Sequence, residues 1–415
     1  MKYTKRILSL LCCVCMLGVA SGCALQDKGG SQDKEEPREL TLWSYYETEM
    51  QKKSMDELVE GFNQSQDTYH LNWEYHGPVT EFDKRLAIAI TQNQLPDMVI
   101  VDNPDMPSYI EMDKFEDITE EIQRFEGFEA YFPSAMEAVE EEGRYYGLPF
   151  CCNNVALVYN KDILQAENVS VPENWEELEH AARKLTRPGQ YGFAMSAVSG
   201  EQGAFQFASF MLSAGDTIEE AGGEGTLKAF QLVRDMVEQG VMSRECVNWS
   251  QNDVARTFIA GECAMMENGP WVFPALDKAG INYGVATFPA EEQYTGILGG
   301  EVIGVLKGKD KEGSVAFLKY YSERDVMLNA NLLANSLPPR EDVAKLFLNV
   351  KPEFQVIMSQ VENCISRTSY TGWSKLSELL SKGQYQVITG ESSPEELCRV
   401  MGLNYAVSFM RSFKL

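Results

Sequence analysis

The sequence predicts an α/β fold, and three observations support this prediction. Short apolar segments of strand length alternate with longer stretches whose apolar residues recur every three to four positions. This alternation is typical of sheets covered by helices. The chain has 415 residues, of which 44% are hydrophobic and 24% are charged, so it is long enough and apolar enough for two or three globular domains.

A strand–helix–strand–helix–strand run opens the globular part of the chain. In its first helix, Met55, Leu58 and Phe62 fall on one face because an α-helix turns once in about 3.6 residues. Pro96 and Asp102 bound its third strand, since both residue types favour turns. In chain order the predicted segments are strand 40–43, helix 49–63, strand 69–75, helix 81–92 and strand 97–101.

Further segments continue this pattern and then give way to helices. Residues 155–159 and 263–266 are predicted strands, and amphipathic helices are predicted at 175–185, 225–239 and 252–259. The last part of the chain is predicted to be mainly helical, at 313–321, 325–331, 351–359, 373–381 and 393–413. The sequence shows no repeat of fixed period, which argues against a solenoid or a propeller.

The chain is strongly acidic. Acidic residues outnumber basic ones by 62 to 36, which gives a formal net charge of -26, and this charge repels phosphate backbones and disfavours nucleic-acid partners. The three histidines, His70, His76 and His180, lack the close helical spacing of a zinc site. The sequence also contains no EF-hand loop. We therefore predict neither a metal nor a cofactor.

The first segment predicts export from the cytoplasm. Three basic residues within positions 2–6 precede an apolar run at 7–20. The run has about 14 residues, whereas a membrane-spanning helix needs roughly 20. We therefore expect a removable signal rather than a permanent transmembrane helix.

The end of this segment predicts a lipid anchor. Residues 19–23, Val-Ala-Ser-Gly-Cys, resemble the lipobox of bacterial lipoproteins, with Ala20 where that motif prefers leucine. The resemblance implies that residues 1–22 are a lipoprotein signal peptide and that Cys23 is acylated, and two acyl chains suffice for stable attachment to a membrane. An ordinary signal peptide with a cysteine near its end is the alternative.

Residues 23–37 are predicted to form a flexible tether behind the acylated cysteine. From 24 to 37 the only large apolar residue is Leu25, so this segment cannot bury a core. Fully extended, it would reach roughly 50 Å. That length lets an anchored body reorient above a membrane.

A series of motifs in the globular part carries a family resemblance. The most specific are Gly-Arg-Tyr-Tyr-Gly-Leu-Pro-Phe at 143–150 and Val-Ala-Leu-Val-Tyr-Asn-Lys-Asp at 155–162. Further segments agree in the same order, at 95–97, 175–178, 261–271, 317–320 and 337–338. In these motifs the chain resembles the extracellular solute-binding proteins of family 1, the maltose-binding-protein-like receptors of ABC sugar importers.

The resemblance implies a two-lobed periplasmic-binding-protein-like fold, in which hinge strands join two α/β lobes that close over a ligand in a central cleft. Crossings between the lobes are expected near 148–150, 286–289 and 338–342. The N-terminal lobe would then comprise 38–148 and 290–338, and the C-terminal lobe would comprise 149–286 and 343–415. Proline at 149, 289, 338 and 339 fixes φ at these crossings and limits flexing to a few neighbouring residues.

Two tryptophans are candidates for stacking on a sugar ring, because a sugar site needs flat apolar surfaces as well as hydrogen-bonding groups. Trp271 follows Asn268 and Gly269 and matches a position where the family places a stacking aromatic residue. Trp373 begins a predicted helix in the region where the family offers another. For each tryptophan the alternative is a place in the core.

Polar candidates follow the first and third predicted strands, because ligands collect at the carboxyl ends of parallel strands. Ser44, Tyr45 and Glu47 come after the first strand, with a solvated acid at a helix start as the alternative for Glu47. Asp102 and Asn103 come after the third strand, with an Asx turn as their alternative.

The remaining candidates lie near predicted turns. Asn153 stands where maltose-binding members of the family carry a glutamate, which argues against maltose itself as the ligand. A tight Gly-Gly turn at 299–300 would let the backbone approach a ligand. An ordinary turn is the alternative for Glu201, Gln202 and Gln206 and for the turn that contains Gly300 and Glu301. The candidates here are Asn153, Glu201, Gln202, Gln206, Asn268, Gly300 and Glu301.

Six cysteines lie beyond the predicted anchor, at positions 151, 152, 246, 263, 364 and 398. Their spacing indicates neither a disulfide framework nor a Cys-x-x-Cys metal pair. We expect mostly free, buried thiols. A bridge between Cys246 and Cys263 is the leading exception.

The sequence therefore predicts a lipid-anchored, monomeric binding protein on the extracytoplasmic face of a bacterial cell membrane. It would capture a carbohydrate, specifically an oligosaccharide, and deliver it chemically unchanged to the permease of an ABC transporter. One alternative is the same fold with a non-sugar solute, such as a polyamine, a metal complex or a peptide. Another is a surface glycoside hydrolase or lyase that uses the carboxyls of Glu47 and Glu301.

Overall fold

The computed structural model of the chain describes residues 36–370 and 372–402. The predicted signal peptide, Cys23 and all but the end of the predicted tether lie outside the described residues, as does the second half of the last predicted helix. From Pro37 onward, the described residues form one compact unit, which contains two hydrophobic cores. Within the described residues, no helix is both long enough and apolar enough to cross a membrane.

The described strands alternate with helices along most of the chain. In chain order the strands are β1 (Arg38–Ser44), β2 (Tyr69–Tyr75), β3 (Met98–Asp102), β4 (Glu140–Glu141), β5 (Arg144–Tyr145), β6 (Gly147–Pro149), β7 (Ala156–Asn160), β8 (Tyr191–Ala194), β9 (Cys263–Asn268), β10 (Tyr283–Ala286), β11 (Gly296–Leu298), β12 (Glu301–Val305) and β13 (Cys364–Ser366). Residues of β3, β6, β7 and β9 are almost entirely buried, because helices cover both faces of the sheets.

Five of the described α-helices begin at polar caps whose side chains accept backbone N–H groups. In chain order they are α1 (Glu49–Ser65), α2 (Val79–Gln92), α3 (Met106–Glu111), α4 (Thr119–Ile122), α5 (Pro133–Met136), α6 (Lys161–Ala166), α7 (Trp175–Leu185), α8 (Glu201–Ser213), α9 (Glu224–Glu238), α10 (Gln251–Ile259), α11 (Phe273–Lys278), α12 (Lys311–Ser322), α13 (Arg324–Ala334), α14 (Glu341–Phe347), α15 (Gln355–Val361) and α16 (Trp373–Thr389). Residues 394–402 are also helical. Thr48 and Ser250 form capping boxes at α1 and α10, and Asn174 caps α7.

The first lobe is built on a five-stranded sheet in the order β2-β1-β3-β12-β6. β1, β2 and β3 run parallel, whereas β12 is antiparallel to β3 and pairs Glu301 with Asp102. The carboxyl ends of β1 and β3 and the start of β12 therefore meet at one edge of the sheet. Polar groups from three separate parts of the chain converge there.

The second lobe is built on a four-stranded sheet in the order β10-β7-β9-β8, and β11 pairs with β13 beside it. The chain passes between the two cores after β6, before β12 and after α13. One predicted boundary is wrong. Tyr294, Ile297 and Leu298 pack in the second core. Residues 290–298, which were predicted to belong to the first lobe, therefore belong to the second. The second crossing falls at Gly299 and Gly300 instead of near 286–289.

Amphipathic elements match the predictions closely, whereas one fully buried helix has no counterpart among them. β2 and α7 have the predicted bounds, and the predicted core face of α1 is buried. The helix α8 was missed because every residue from Gly203 to Ser213 is buried, so its sequence has no polar face and no helical period.

The cysteines at 151, 152, 246, 263, 364 and 398 are all free and buried. The expectation of free thiols is confirmed, and the bridge considered between Cys246 and Cys263 is wrong. Burial raises the pKa of the Cys246 thiol to about 12, which keeps it protonated and unreactive.

One carboxyl group is buried in the second core. Glu267 lies in β9 with 0% of its surface exposed, and neither of its carboxylate oxygens has a hydrogen-bond partner among the described residues. Burial raises the pKa of this carboxyl well above its ordinary value. The folded state therefore favours the protonated form.

We expect Glu267 to make stability fall as pH rises. The pKa of this carboxyl is higher in the folded chain than in the unfolded chain. Its destabilising effect is therefore negligible below the unfolded-state pKa and grows as the pH rises toward the folded-state pKa. Glu267→Gln should remove this pH dependence. The unfolding free energy of the variant should exceed that of the wild type by an amount that increases between about pH 5 and 8, by up to about 1.4 kcal/mol per pH unit. Urea denaturation at several pH values measures the gain.

The control for this prediction is Glu120→Gln, which changes a carboxyl whose side chain is 85% exposed. Its effect on the unfolding free energy should not vary with pH over this range. If the gain from Glu267→Gln is also constant, the Glu267 carboxyl is already ionised in the native protein, contrary to this prediction.

Candidate functional site

The edge where the strands of the first lobe end faces the second lobe across a cavity of about 270 Å³. Both lobes line it. The first lobe contributes Tyr45, Tyr46, Glu47, Thr48, Gln51, Val79, Asp102 and Glu301, together with Ala334, Asn335 and Ser336 after α13. The crossings and the second lobe contribute Cys151, Asn153, Glu201, Gln202, Phe205, Gln251, Asn252, Pro270, Trp271, Gly300 and Arg367.

Arg367 lies at the floor of this cavity, just after β13, and only 2% of its side chain is exposed. One of its terminal nitrogens donates to Asp102 at 3.0 Å and to the side-chain oxygen of Asn103 at 2.6 Å. The other donates to Glu201 at the start of α8. Arg367 thus bridges a carboxylate of the first lobe and one of the second.

The same guanidinium stacks over an aromatic ring. Its central carbon lies 4.9 Å from the ring centroid of Phe205 in α8. The paired carboxylates raise the pKa of Arg367 although burial lowers it, so the group stays charged. Two carboxylates, an amide oxygen and an aromatic face therefore surround the cation, while its Nε is buried without a hydrogen-bond partner among the described residues.

Glu201 receives further donors from α16. The indole nitrogen of Trp373 lies 3.0 and 3.1 Å from its two carboxylate oxygens, and the hydroxyl of Ser377 donates to the second. Trp373 is only 3% exposed and does not line the cavity. The expectation that Trp373 stacks on a ligand is therefore wrong for this structure, because its indole is packed in the core and positions Glu201.

Trp271 differs from Trp373 in remaining partly exposed at the cavity wall. It lies in the short helical turn that follows β9, and its ring covers Gly269, where a Cβ would come within 2.0 Å of the indole. Its ring centroid is 6.4 Å from that of Phe205. The indole nitrogen is buried and has no partner among the described residues. The flat face of Trp271 is therefore available to a ligand, whereas its N–H is buried.

Glu301 forms the opposite wall at the start of β12. The hydroxyl of Tyr45 donates to one of its carboxylate oxygens at 3.1 Å, and the thiol of Cys151 donates to the other at 2.7 Å. Burial raises the pKa of Glu301, and it also raises that of Asp102 against the opposing effect of Arg367. Neutral donors therefore hold Glu301, whereas a cation holds Asp102.

Gly300 allows the chain to cross between the lobes at the cavity. Its φ is +127°, and a Cβ there would lie 2.1 Å from the carbonyl oxygen of Cys151. Any other residue would clash, which explains the glycine. Next to it, Asn153 exchanges two backbone hydrogen bonds with Gly299.

The structure brings most of the predicted site residues together. Those that line the cavity are Tyr45, Glu47, Asp102, Asn153, Glu201, Gln202, Trp271, Gly300 and Glu301. Besides Trp373, four predicted residues do not line it: Ser44, Asn103, Gln206 and Asn268 are buried. Three of them stabilise the surrounding structure instead. The side chain of Gln206 binds the backbone of Ser196 and Glu267, and the side chain of Asn268 binds the backbone of Gln251. Asn103 accepts a hydrogen bond from Arg367.

Sequence reasoning missed several cavity residues. Arg367 gave no local signal, because a single arginine after a short strand matches no motif. Tyr46 and Cys151 directly follow predicted positions, so a wider window around β1 and β6 would have included them. Within residues 36–370 and 372–402, no group of three or more His, Cys, Asp or Glu side chains is arranged to hold a metal ion.

Comparison with known proteins places the chain among binding proteins. A family model described as bacterial extracellular solute-binding protein matches residues 57–355. A binding protein of Brucella abortus is 24% identical over 275 residues, which are 62% of this chain and 66% of that protein. The chain thus spans just under two thirds of the length of the Brucella relative.

Two further relatives are named for different ligands. The maltotriose-binding protein of Pyrococcus abyssi is 28% identical over 220 residues, 50% of this chain and 45% of that protein. The sn-glycerol-3-phosphate-binding periplasmic protein of Rhizobium meliloti is 22% identical over 325 residues, 71% of this chain and 74% of that protein. The relatives do not agree on one class of ligand.

Solved structures share the fold. A solute-binding protein of an ABC transporter from Thermotoga lettingae, bound with α-D-tagatose, superposes with a TM-score of 0.80 at 22% identity, over 89% of this chain and 98% of that one. The predicted two-lobed α/β fold is thereby confirmed.

We expect Arg367→Met to lower the unfolding free energy by about 3 kcal/mol or more, because it leaves two carboxylates at the cavity floor without their cation. Guanidinium denaturation measures the loss. Adding Asp102→Asn and Glu201→Gln to this variant should restore part of it, since the unpaired charges are then removed. A loss below about 1 kcal/mol in the single variant would mean that solvent already screens these charges in the native protein.

Proposed function

Because the chain belongs to the bacterial extracellular solute-binding proteins, we propose that it binds a carbohydrate in the cleft and delivers it to the permease of an ABC importer. The observation that supports a sugar is the cleft wall at Trp271. A flat, partly exposed indole faces a cavity that is otherwise lined by amides, phenols and carboxyls. Sugar rings need this combination, since their C–H faces are apolar and their hydroxyls both donate and accept.

The polar groups around Trp271 suit hydroxyl recognition. Gln202, Gln251 and Asn252 line the second-lobe wall, and Gln202 and Asn252 are exposed, so their amides can reach a ligand. The mouth of the cavity is open at this wall. We propose that an oligosaccharide places one ring against Trp271 and extends from there toward solvent.

A phosphorylated or acidic ligand fits this cleft poorly. Among the described cleft residues, Arg367 is the only one with a positive charge, and its terminal nitrogens are bound to Asp102, Asn103 and Glu201. A phosphate would therefore face carboxylates without a free cation. This argues against the glycerol-phosphate class, although one relative is named for it.

A catalytic role for Glu47 and Glu301 has little support in the geometry. Glu301 receives hydrogen bonds from Tyr45 and Cys151, which hold its carboxyl against the first lobe, while Glu47 is exposed beside α1. Acid/base catalysis on a glycosidic bond needs two carboxyls placed on either side of that bond. We propose a binding protein that releases its ligand unchanged, with lobe closure driven by tighter binding to the closed state.

The location of the protein is proposed from its first residues. The export signal, the lipobox-like segment and the polar tether support attachment by Cys23 to the extracytoplasmic face of a bacterial membrane, where we propose that the protein is a monomer. A tethered receptor stays within reach of its permease.

We expect Trp271→Ala to weaken binding of the cognate oligosaccharide by about 2 kcal/mol, or roughly thirtyfold, as for other hot-spot aromatic residues. A calorimetric screen over neutral oligosaccharides identifies the ligand and then measures the loss. The matched control is Trp73→Ala, which removes a partly buried tryptophan of the first lobe outside the cleft. Equal affinity of both variants and the wild type would remove the main support for this site.

The anchor has a separate test. Cys23→Ser should block acylation and release the protein from the membrane fraction, whereas Cys13→Ser, which changes a cysteine within the apolar run, should leave attachment intact. Membrane fractionation and mass spectrometry of the mature N-terminus measure the outcome. A wild-type protein without an acyl group would contradict the lipoprotein prediction.

A further inference from the structure

The cleft carries an excess of negative charge. Its lining includes the carboxyls of Glu47, Asp102, Glu201 and Glu301 against the single guanidinium of Arg367, a formal charge of -3. The carboxyls come from both lobes, so the negative charge lies on both sides of the cleft. A charge of this size in a partly enclosed cavity attracts cations and repels anions.

Arg367 offsets this charge only at the floor of the cleft. It is shared between Asp102 and Glu201, and its face is covered by Phe205. Among the described residues, Glu301 has only phenol and thiol groups as side-chain donors, from Tyr45, Tyr46 and Cys151, and none of them carries a charge. The negative charge of Glu301 and Glu47 is therefore left for a ligand to balance.

Two more carboxyls lie near Asp102, outside the cleft lining. Burial, together with the charge of Asp102, raises the pKa of Asp83 to about 6 and that of Asp105 well above its usual range, so the neutral form of Asp105 is favoured. Two cations on α1 and α2 are engaged elsewhere. Lys52 lies 4.3 Å above the ring of Tyr75, and Arg85 is paired with Glu81.

We propose that the carbohydrate bound in this cleft is an amino sugar, whose ammonium group binds Glu301 while a sugar ring packs against Trp271 on the opposite wall. The proposal rests on the carbohydrate function proposed above and narrows it. Carboxylates next to aromatic rings are the surroundings that recognise ammonium groups, through charge-assisted hydrogen bonds and cation–π contacts. A polyamine shares this ammonium chemistry. The indole face of Trp271 and the amides of Gln202 and Asn252 favour the sugar, since a linear polyamine has neither a ring nor hydroxyls.

Titration calorimetry on the full mature chain tests the proposal with one series of ligands. The probes are glucosamine oligosaccharides, the same oligosaccharides with every amine acetylated, glucose oligosaccharides of equal linkage and length, and spermidine. At neutral pH and low salt, the free amine should bind at least about tenfold more tightly than its acetylated counterpart. This advantage should shrink several-fold when salt rises from about 0.02 M to about 0.5 M, because salt screens charges in an open cleft.

Glu301→Gln provides the matched variant. It keeps the size of the side chain and one acceptor oxygen but removes the charge, so the preference for the free amine should fall about fivefold while affinity for the acetylated oligosaccharide stays within about twofold. Glu120→Gln removes an exposed carboxyl outside the cleft and should leave the preference unchanged. Melting temperatures of both variants establish that each is folded.

The outcomes separate this inference from the proposed function. Equal affinity of the wild type for the free amine and its acetylated form overturns the amino-sugar assignment but leaves a carbohydrate-binding protein. An unchanged preference in Glu301→Gln overturns the role of Glu301. Spermidine binding more tightly than every oligosaccharide overturns the carbohydrate function itself, as does a failure of all oligosaccharides to bind.

Discussion

The cleft depends on one buried guanidinium. Arg367 lies where the strands of the first lobe end, where α8 of the second lobe begins and where the crossing segments meet, and it binds a carboxylate from each lobe. Without it, Asp102 and Glu201 would repel each other in partly desolvated surroundings. The arrangement also explains Trp373 and Ser377, whose donors complete the hydrogen bonds of Glu201 and fix α16 against α8.

The return of the chain to the first sheet gives the cleft its second wall. β12 enters antiparallel beside β3, and this register places Glu301 opposite Asp102 although the two residues are far apart in sequence. The entry requires the glycine pair at 299–300, because Gly300 has a positive φ and lies against the backbone of Cys151. A steric requirement at the crossing thus fixes the position of a charged group in the site.

Two carboxyls of the second lobe illustrate different ways of accommodating an acid. Glu267 has no hydrogen-bond partner among the described residues, and its burial in the core favours the protonated form, whereas the partly exposed Glu201 is held by the cation Arg367 and by two neutral donors, Trp373 and Ser377. Only the second arrangement keeps a charge near the cleft. The acidic character of the site is therefore built into its framework rather than added by surface residues such as Glu47.

The sequence by itself determined the amphipathic elements, the family motifs and the position of Trp271, because each of these follows from local periodicity or from a contiguous segment. It did not distinguish Trp271 from Trp373, although both follow a glycine closely, nor did it find Arg367 or the buried helix α8. Those features depend on contacts between distant residues: Trp373 and Glu201 are 172 positions apart, and Arg367 and Asp102 are 265 apart. Whether a side chain faces a ligand or the core is decided by what packs against it, and only the tertiary structure decides that.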